Sequence, residues 1–239
     1  MRILEASGVT KTFGGRAAVS QVEAHVNEGE ILGLIGPNGA GKTTFFNMIS
    51  GAITPDSGTI LFNGQKISGL KPNQICRMGI ARTFQAAKNF PSMTVHENAL
   101  MGSLFGKPGQ LHDAALLEVD EVLKFVGLAD QRDRAIQDIT LASQKRLEVA
   151  RALATKPKLL LLDETMAGLN PTEVDEAMDL VKRIRASGIT IVMIEHVMKA
   201  IMNICDRIVV LHHGEKIAEG PPAEIATSKT VIEVYLGEV

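Results

Sequence analysis

The chain has no tryptophan, one tyrosine (Tyr235) and two cysteines, Cys76 and Cys205, in 239 residues. With no Trp and one Tyr, the chain lacks the aromatic surfaces on which single-stranded nucleic-acid binders stack bases. Two cysteines far apart and outside any CxxC spacing exclude a disulfide framework and a zinc ribbon, and suit small buried hydrophobes instead. Nor is there an excess of charge, since 25 Lys+Arg against 27 Asp+Glu give a net charge of −2. A bulk basic field for the phosphate backbone of a nucleic acid is therefore missing, and no nucleic-acid partner is expected. No apolar run approaches the roughly 20 residues that a membrane-spanning helix needs. The opening MRILEASG lacks the basic-then-apolar layout of a signal peptide, which predicts a cytoplasmic protein. Internal repeats and low-complexity tracts are also absent.

What is present is an ordinary globular composition, 45% hydrophobic and 22% charged, arranged with a changing period. Asn63-Gly64 between β-prone residues predicts an antiparallel hairpin over Thr59–Ile67. Glu30–Ile35 suits a strand buried on both faces that feeds a glycine loop and then a helix over Thr43–Ser50. From about Met93 to Leu153 the pattern becomes helical, with Leu116, Leu117, Val119, Val122, Leu123 and Val126 forming one apolar face. Strands and helices then alternate. Leu159–Leu162 is a buried strand, and Asn170-Pro171-Thr172-Glu173 supplies the cap, first-turn proline and capping-box glutamate of a helix that Ser187-Gly188 ends. Ile189–Ile194 and Ile208–Leu211 are further strands, the βαβ rhythm of a parallel sheet.

Two stretches carry chemistry. Gly36-Pro37-Asn38-Gly39-Ala40-Gly41-Lys42-Thr43 fits G-x-x-x-x-G-K-[ST], placed between a buried strand and a helix as a phosphate-binding loop requires. Its glycines let successive N–H groups turn toward phosphate oxygens, Lys42 reaches the β and γ phosphates, and the Thr43 hydroxyl is a ligand for Mg²⁺; Thr44 follows in the same turn. Leu159–Leu162 runs into Asp163 and Glu164, a strand delivering two acids at its carboxyl end. There Asp163 is expected to hold Mg²⁺ through water, and Glu164 to polarise the attacking water. Adjacent His212 and His213 point to opposite faces of a strand and cannot readily share a metal ion. Arg82 and Lys88 give the loop around Ala81–Gln85 local positive charge, suited to a partner contact.

With these motifs in this order, the chain resembles the ATP-binding-cassette (ABC) transporter ATPases over nearly its whole length. The resemblance implies an α/β fold: a P-loop NTPase (RecA-like) core with an antiparallel β subdomain and an inserted helical subdomain near residues 90–153, all within one domain, 1–239. It implies ATP and Mg²⁺ as cofactors. Gln85, in Arg82-Thr83-Phe84-Gln85, matches the glutamine that touches Mg²⁺ and the attacking water, and His196 matches the histidine that contacts the γ-phosphate. Phe13 stands where an aromatic stacks on adenine, although an isolated Phe is also at home in a core. Counting back from Lys145-Arg146-Leu147-Glu148-Val149-Ala150-Arg151, the family's Leu-Ser-Gly-Gly-Gln signature falls on Ile139-Thr140-Leu141-Ala142-Ser143. A hydroxyl survives at Thr140 and a backbone N–H at Ala142, but both glycines and the glutamine are lost. Ala167-Gly168-Leu169-Asn170 ends in Asn where many relatives have Asp.

The implied partners are transmembrane permease subunits, a second ATPase subunit in a homo- or heterodimer and, indirectly, a solute-binding protein. The implied location is peripheral, on the cytoplasmic side of the plasma membrane. Ala81–Gln85, Phe90-Pro91-Ser92-Met93-Thr94-Val95-His96-Glu97-Asn98 and Tyr235-Leu236-Gly237-Glu238 most resemble ATPases of branched-chain amino-acid importers. Urea or amide uptake, lipopolysaccharide export, a soluble ABC ATPase and a P-loop kinase are the alternatives.

Overall fold

The computed structural model describes residues 1–83, 89–106 and 112–236. In chain order its strands are β1 (Arg2–Phe13), β2 (Arg16–Asn27), β3 (Ile31–Ile35), β4 (Ser57–Phe62), β5 (Gln65–Lys66), β6 (Ile80–Arg82), β7 (Leu159–Asp163), β8 (Thr190–Ile194), β9 (Arg207–His212) and β10 (Glu215–Gly220). The helices are α1 (Lys42–Ile49), α2 (Pro72–Met78), α3 (Val95–Gly106), α4 (His112–Val126), α5 (Leu141–Leu153), α6 (Pro171–Ala186), α7 (Met198–Ile204), α8 (Pro222–Thr227) and α9 (Lys229–Leu236).

The strands form two sheets. One is antiparallel in the order β2-β1-β4-β5, and the other has six strands in the order β10-β9-β3-β8-β7-β6. Within the second, β6 to β9 and β3 are parallel neighbours and only β10 is antiparallel. Both faces of this sheet are covered, which explains the unbroken apolar runs. Leu159, Leu161, Val192, Ile194, Val209 and Leu211 join one core with the antiparallel sheet and with Phe45 and Phe46 of α1. Their alternates Leu160, Leu162, Ile191, Met193, Ile208 and Val210 join the other with α3 to α7. The fold is thus an α/β P-loop core flanked by an antiparallel sheet on one side and by helices on the other.

The Asn63-Gly64 turn takes positive φ at both residues, 48° and 74°, as a tight hairpin between β4 and β5 demands. His213-Gly214 does the same between β9 and β10, at 47° and 83°, so His213 is a turn residue. At α6 both halves of the capping box form: Glu173 N–H donates to Asn170 Oδ1 (3.0 Å) and Asn170 N–H to Glu173 Oε2 (2.9 Å). Cys205 is buried and unbridged, and burial pushes its thiol up to about 12. On α4, Val119, Leu123 and Val126 are buried as expected, but Leu117 is 71% exposed. It belongs to the outer side of the helix, two residues from Val119 and so turned well away from the buried stripe.

Candidate functional site

Parallel pairing puts three strand ends side by side. Leu34 of β3 lies opposite Ile194 of β8, and Ile194 lies opposite Asp163 of β7, so the chain leaves all three strands on one edge of the sheet. Carboxyl ends of parallel strands are where α/β sheets place ligands.

After β3 the chain turns through Gly36 (φ 151°), Gly39 (80°) and Gly41 (100°) before α1 starts. A Cβ would lie 2.1 Å from the Leu211 carbonyl oxygen at Gly36 and 2.3 Å from that of Ala18 at Gly41. Both positions therefore need glycine for space as well as for conformation. Lys42 is only 6% exposed, and its ammonium donates to the carbonyls of Gly36 (2.7 Å) and Pro37 (2.9 Å). Burial lowers its pKa, while the charges of Glu164 and Asp163 push it back up. Thr43 is exposed and Thr44 half-buried in the same turn; Ala40 is buried and Pro37 half-buried, whereas Asn38 is exposed.

Asp163 ends β7 at 1% exposure. Arg82 Nη2 donates to its Oδ2 (2.7 Å), its N–H donates to Thr83 Oγ1 (3.0 Å), and its Oδ1 has no hydrogen-bond partner among the described residues. The next residue, Glu164, sits at φ 50°, a conformation that costs a non-glycine residue about 1–3 kcal/mol and collects at functional sites. Several contacts help to hold it there. Its N–H donates to Ile194 O (2.9 Å), its carbonyl accepts from Lys145 Nζ (3.2 Å), and its Oε1 lies 3.1 Å from His196 Nε2. Beside them Glu195, 2% exposed, accepts from Met166 N–H (2.8 Å) and Thr165 Oγ1 (3.2 Å). Burial raises its pKa, against those two hydrogen bonds.

Lys42, Asp163, Glu164 and His196 are thus brought to one place. Phe13, the last residue of β1, is 50% exposed, with Lys11 Nζ 5.6 Å from its ring centroid. It is not a core residue. Gln85 lies outside the described residues. Thr140 is the N-cap of α5, its hydroxyl accepting from Ser143 N–H (3.2 Å), and Ala142 lies in the first helical turn. Ala142 needs no positive φ. Among the described residues, no hydrogen bond links Thr140 or Ala142 to residues 36–43.

One expectation is corrected. Arg82 belongs to β6, not to a loop, and its side chain is 7% exposed. A buried cation paired to Asp163 is not available to a partner surface. Sequence spacing could not reveal that pair, because its members are 81 residues apart. No spacing marks the roles of Lys145 and Glu195 either, each looking in the sequence like an ordinary helix or strand-end charge.

Residues 19–167 match the ABC transporter family, and residues 215–239 match the family described as branched-chain amino acid ATP-binding cassette transporter. The chain belongs to the ABC transporter family. The High-affinity branched-chain amino acid transport ATP-binding protein BraF of Pseudomonas aeruginosa is 40% identical, over 99% of this chain and 98% of that one. A nucleotide-free ATP-binding cassette from an ABC transporter superposes with a TM-score of 0.91 at 31% identity, and a cassette in an ADP conformation with 0.90 at 32%. The first covers both chains completely, and so does the second. The cassette is accordingly a nucleotide-binding ATPase of the transporter type. No helix among its described residues is long and apolar enough to cross a membrane.

Proposed function

We propose that this cassette energises the uptake of branched-chain amino acids, working as a peripheral subunit on the cytoplasmic face of the plasma membrane. It would pair with a second ATPase subunit beneath transmembrane permease subunits, with a solute-binding protein delivering the cargo. The whole chain, 1–239, acts as one cassette whose helical part spans about 90–153. The observation that carries the catalytic part is the convergence of Lys42, Asp163, Glu164 and His196 at one sheet edge. The cargo is supported by the match over residues 215–239 and by BraF.

Each residue's task follows from its chemistry. The backbone N–H groups that the glycine turns aim inward along the loop after Pro37, which has none, cradle phosphate oxygens, and Lys42 exchanges two carbonyl acceptors for anionic ones. Phe13 offers an exposed ring to the adenine. Glu164 accepts a proton from, or orients, the attacking water, and His196 steadies that carboxylate while its ring remains available to the γ-phosphate. The residues also fit Mg²⁺, a hard cation that wants oxygen donors: Asp163 Oδ1 is buried without a hydrogen-bond partner among the described residues, and Thr43 is exposed at the start of α1. Gln85 is a third candidate by its place in the sequence. Bound there, Mg²⁺ would neutralise charge on the β and γ phosphates. Thr140 and Ala142 would face the nucleotide held by the second ATPase subunit.

The test is to purify the tagged cassette from detergent extract with its untagged membrane subunits and reconstitute them in vesicles. ATP-dependent accumulation of radiolabelled leucine, isoleucine or valine is expected. Uptake of urea or amides instead, release of lipopolysaccharide, or no copurifying membrane subunit would overturn the reading.

A further inference from the structure

Arg82 and Thr83 are adjacent, both are buried, and both hold Asp163 from different sides. Arg82 uses its planar fork fully enough to tie three elements together. Nη2 donates to Asp163 Oδ2 (2.7 Å), while Nη1 donates to Asn47 Oδ1 (2.6 Å) in α1 and to Ser50 Oγ (3.2 Å) just after it. The guanidinium carbon also lies 5.6 Å from the ring centroid of Phe46 on α1. Thr83 continues β6 by one residue: its N–H donates to Leu161 O (2.9 Å), and its hydroxyl accepts from Asp163 N–H (3.0 Å). The backbone and the carboxylate of Asp163 are thus both fixed by the end of β6, and the helix that follows the phosphate loop is fixed to the same guanidinium.

This arrangement makes the two carboxylate oxygens of Asp163 unequal. Oδ2 is engaged by Arg82, and Oδ1 has no hydrogen-bond partner among the described residues. We propose that Arg82 and Thr83 are positioning residues, a clasp that fixes the Asp163 carboxylate with Oδ2 engaged and Oδ1 reserved for a divalent cation. The affinity of the site for metal-bound nucleotide then depends on β6 as well as on β7. Arginine suits the task and lysine does not fully replace it, because one ammonium cannot span Asp163, Asn47 and Ser50 in the same fixed plane. The clasp rests on the assignment of Asp163 as a holder of Mg²⁺.

The experiment measures the affinity of the full chain for a non-hydrolysable ATP analogue by calorimetry, once in EDTA and once in excess Mg²⁺. The ratio of the two is the gain due to metal. Arg82→Met should cut that gain at least tenfold and lower the EDTA affinity by much less, since Arg82 reaches residues 36–43 only indirectly, through Asn47 and Ser50. Arg82→Lys should recover part of it. Thr83→Val, which keeps the shape and deletes the acceptor, should lose about threefold, and Thr83→Ser should restore the wild-type gain. Should Arg82→Met fail to fold, the Thr83 pair decides alone. An undiminished gain in Arg82→Met or Thr83→Val, or equal losses with and without metal, would overturn the clasp. A wild-type chain that gains nothing from Mg²⁺ would overturn the assignment of Asp163, and the clasp with it.

Discussion

Two helix beginnings in this molecule handle their unpaired backbone N–H groups in opposite ways. α1 follows Gly41, at φ 100°, and has no side-chain cap and no acidic residue in its first turn. α5 follows Thr140, whose hydroxyl accepts from the N–H of Ser143 and also donates to that residue's Oγ (3.2 Å). The first four N–H groups of a helix lack partners within it. At α5 the chain supplies one for itself, whereas at α1 it supplies none and clears space with glycines at 36 and 41 instead. An uncapped beginning beside a buried ammonium is built for an external anion. A capped one is built first for stability, and any service to a ligand must share the hydroxyl. Gly36 and Gly41 therefore tolerate little substitution, while residues 139–143, where the resemblance puts the family signature, form an ordinary helix start.

The sharpest way to break this contrast is at Glu164. Replacing it with glutamine keeps the shape and the hydrogen bond to His196 but removes the carboxylate that can take a proton from water. Turnover should fall by about 10²–10⁴-fold, the range for loss of a general base, while nucleotide affinity stays within about twofold. Phosphate release and calorimetry on one preparation check both halves. Turnover near the wild-type rate would move the base elsewhere, and a parallel loss of affinity would make Glu164 a binding residue.

Lys42→Ala comes next. Its ammonium donates two hydrogen bonds to neutral carbonyls, and a bound nucleotide would replace these with charged acceptors. Hydrogen bonds to charged groups contribute about 1.5–3 kcal/mol, so affinity for ATP should drop by about 10–150-fold. Calorimetry with ATP reads it directly. Unchanged affinity would leave Lys42 as a structural tie between its own loop carbonyls.

How much of this was legible follows from where each signal lies along the chain. The phosphate loop, the acid-ended strand β7, the Asn63-Gly64 hairpin and the capping box of α6 are all local, and local chemistry survives in a sequence. β6 has three residues, too few for a period, and it stands between α2 and a residue pairing with β7 some 80 positions later. The two 12-residue strands β1 and β2 look like short fragments because their pairing slips register near Gly8 and Gln21, both at positive φ. Each slip of one residue reverses which side chains face the core. In the site, Lys42 and Glu164 were legible from motifs, but what holds Asp163 and Glu164 in place was not. Arg82, Thr83, Lys145 and Glu195 act through long-range contacts, and no spacing rule connects them. Leu117 failed for a simpler reason, since an apolar residue at the margin of a helical stripe can face water at little cost.

The smallest expected effect tests the capped beginning itself. Thr140→Ala removes the acceptor for Ser143 N–H, and loss of such a cap costs about 0.5–2 kcal/mol. For a chain of this size that corresponds to a fall in Tm of roughly 1–8 °C, taking about 2–4 °C per kcal/mol. Thr140→Ser keeps the oxygen and should restore the transition, because serine caps at least as well as threonine. The same pair separates stability from chemistry. The isolated cassette should bind ATP with unchanged affinity in either variant, since residues 36–43 do not touch Thr140. In the assembled transporter, Thr140→Ala should also slow hydrolysis at the nucleotide held by the neighbouring ATPase subunit, and Thr140→Ser should not. A variant that lowers Tm but leaves the assembled rate intact would confine Thr140 to its cap, and the departure from the family signature would then carry no catalytic role. A rate that falls with no change in Tm would show the opposite, that Ser143 N–H finds another acceptor and the hydroxyl is held for the ligand.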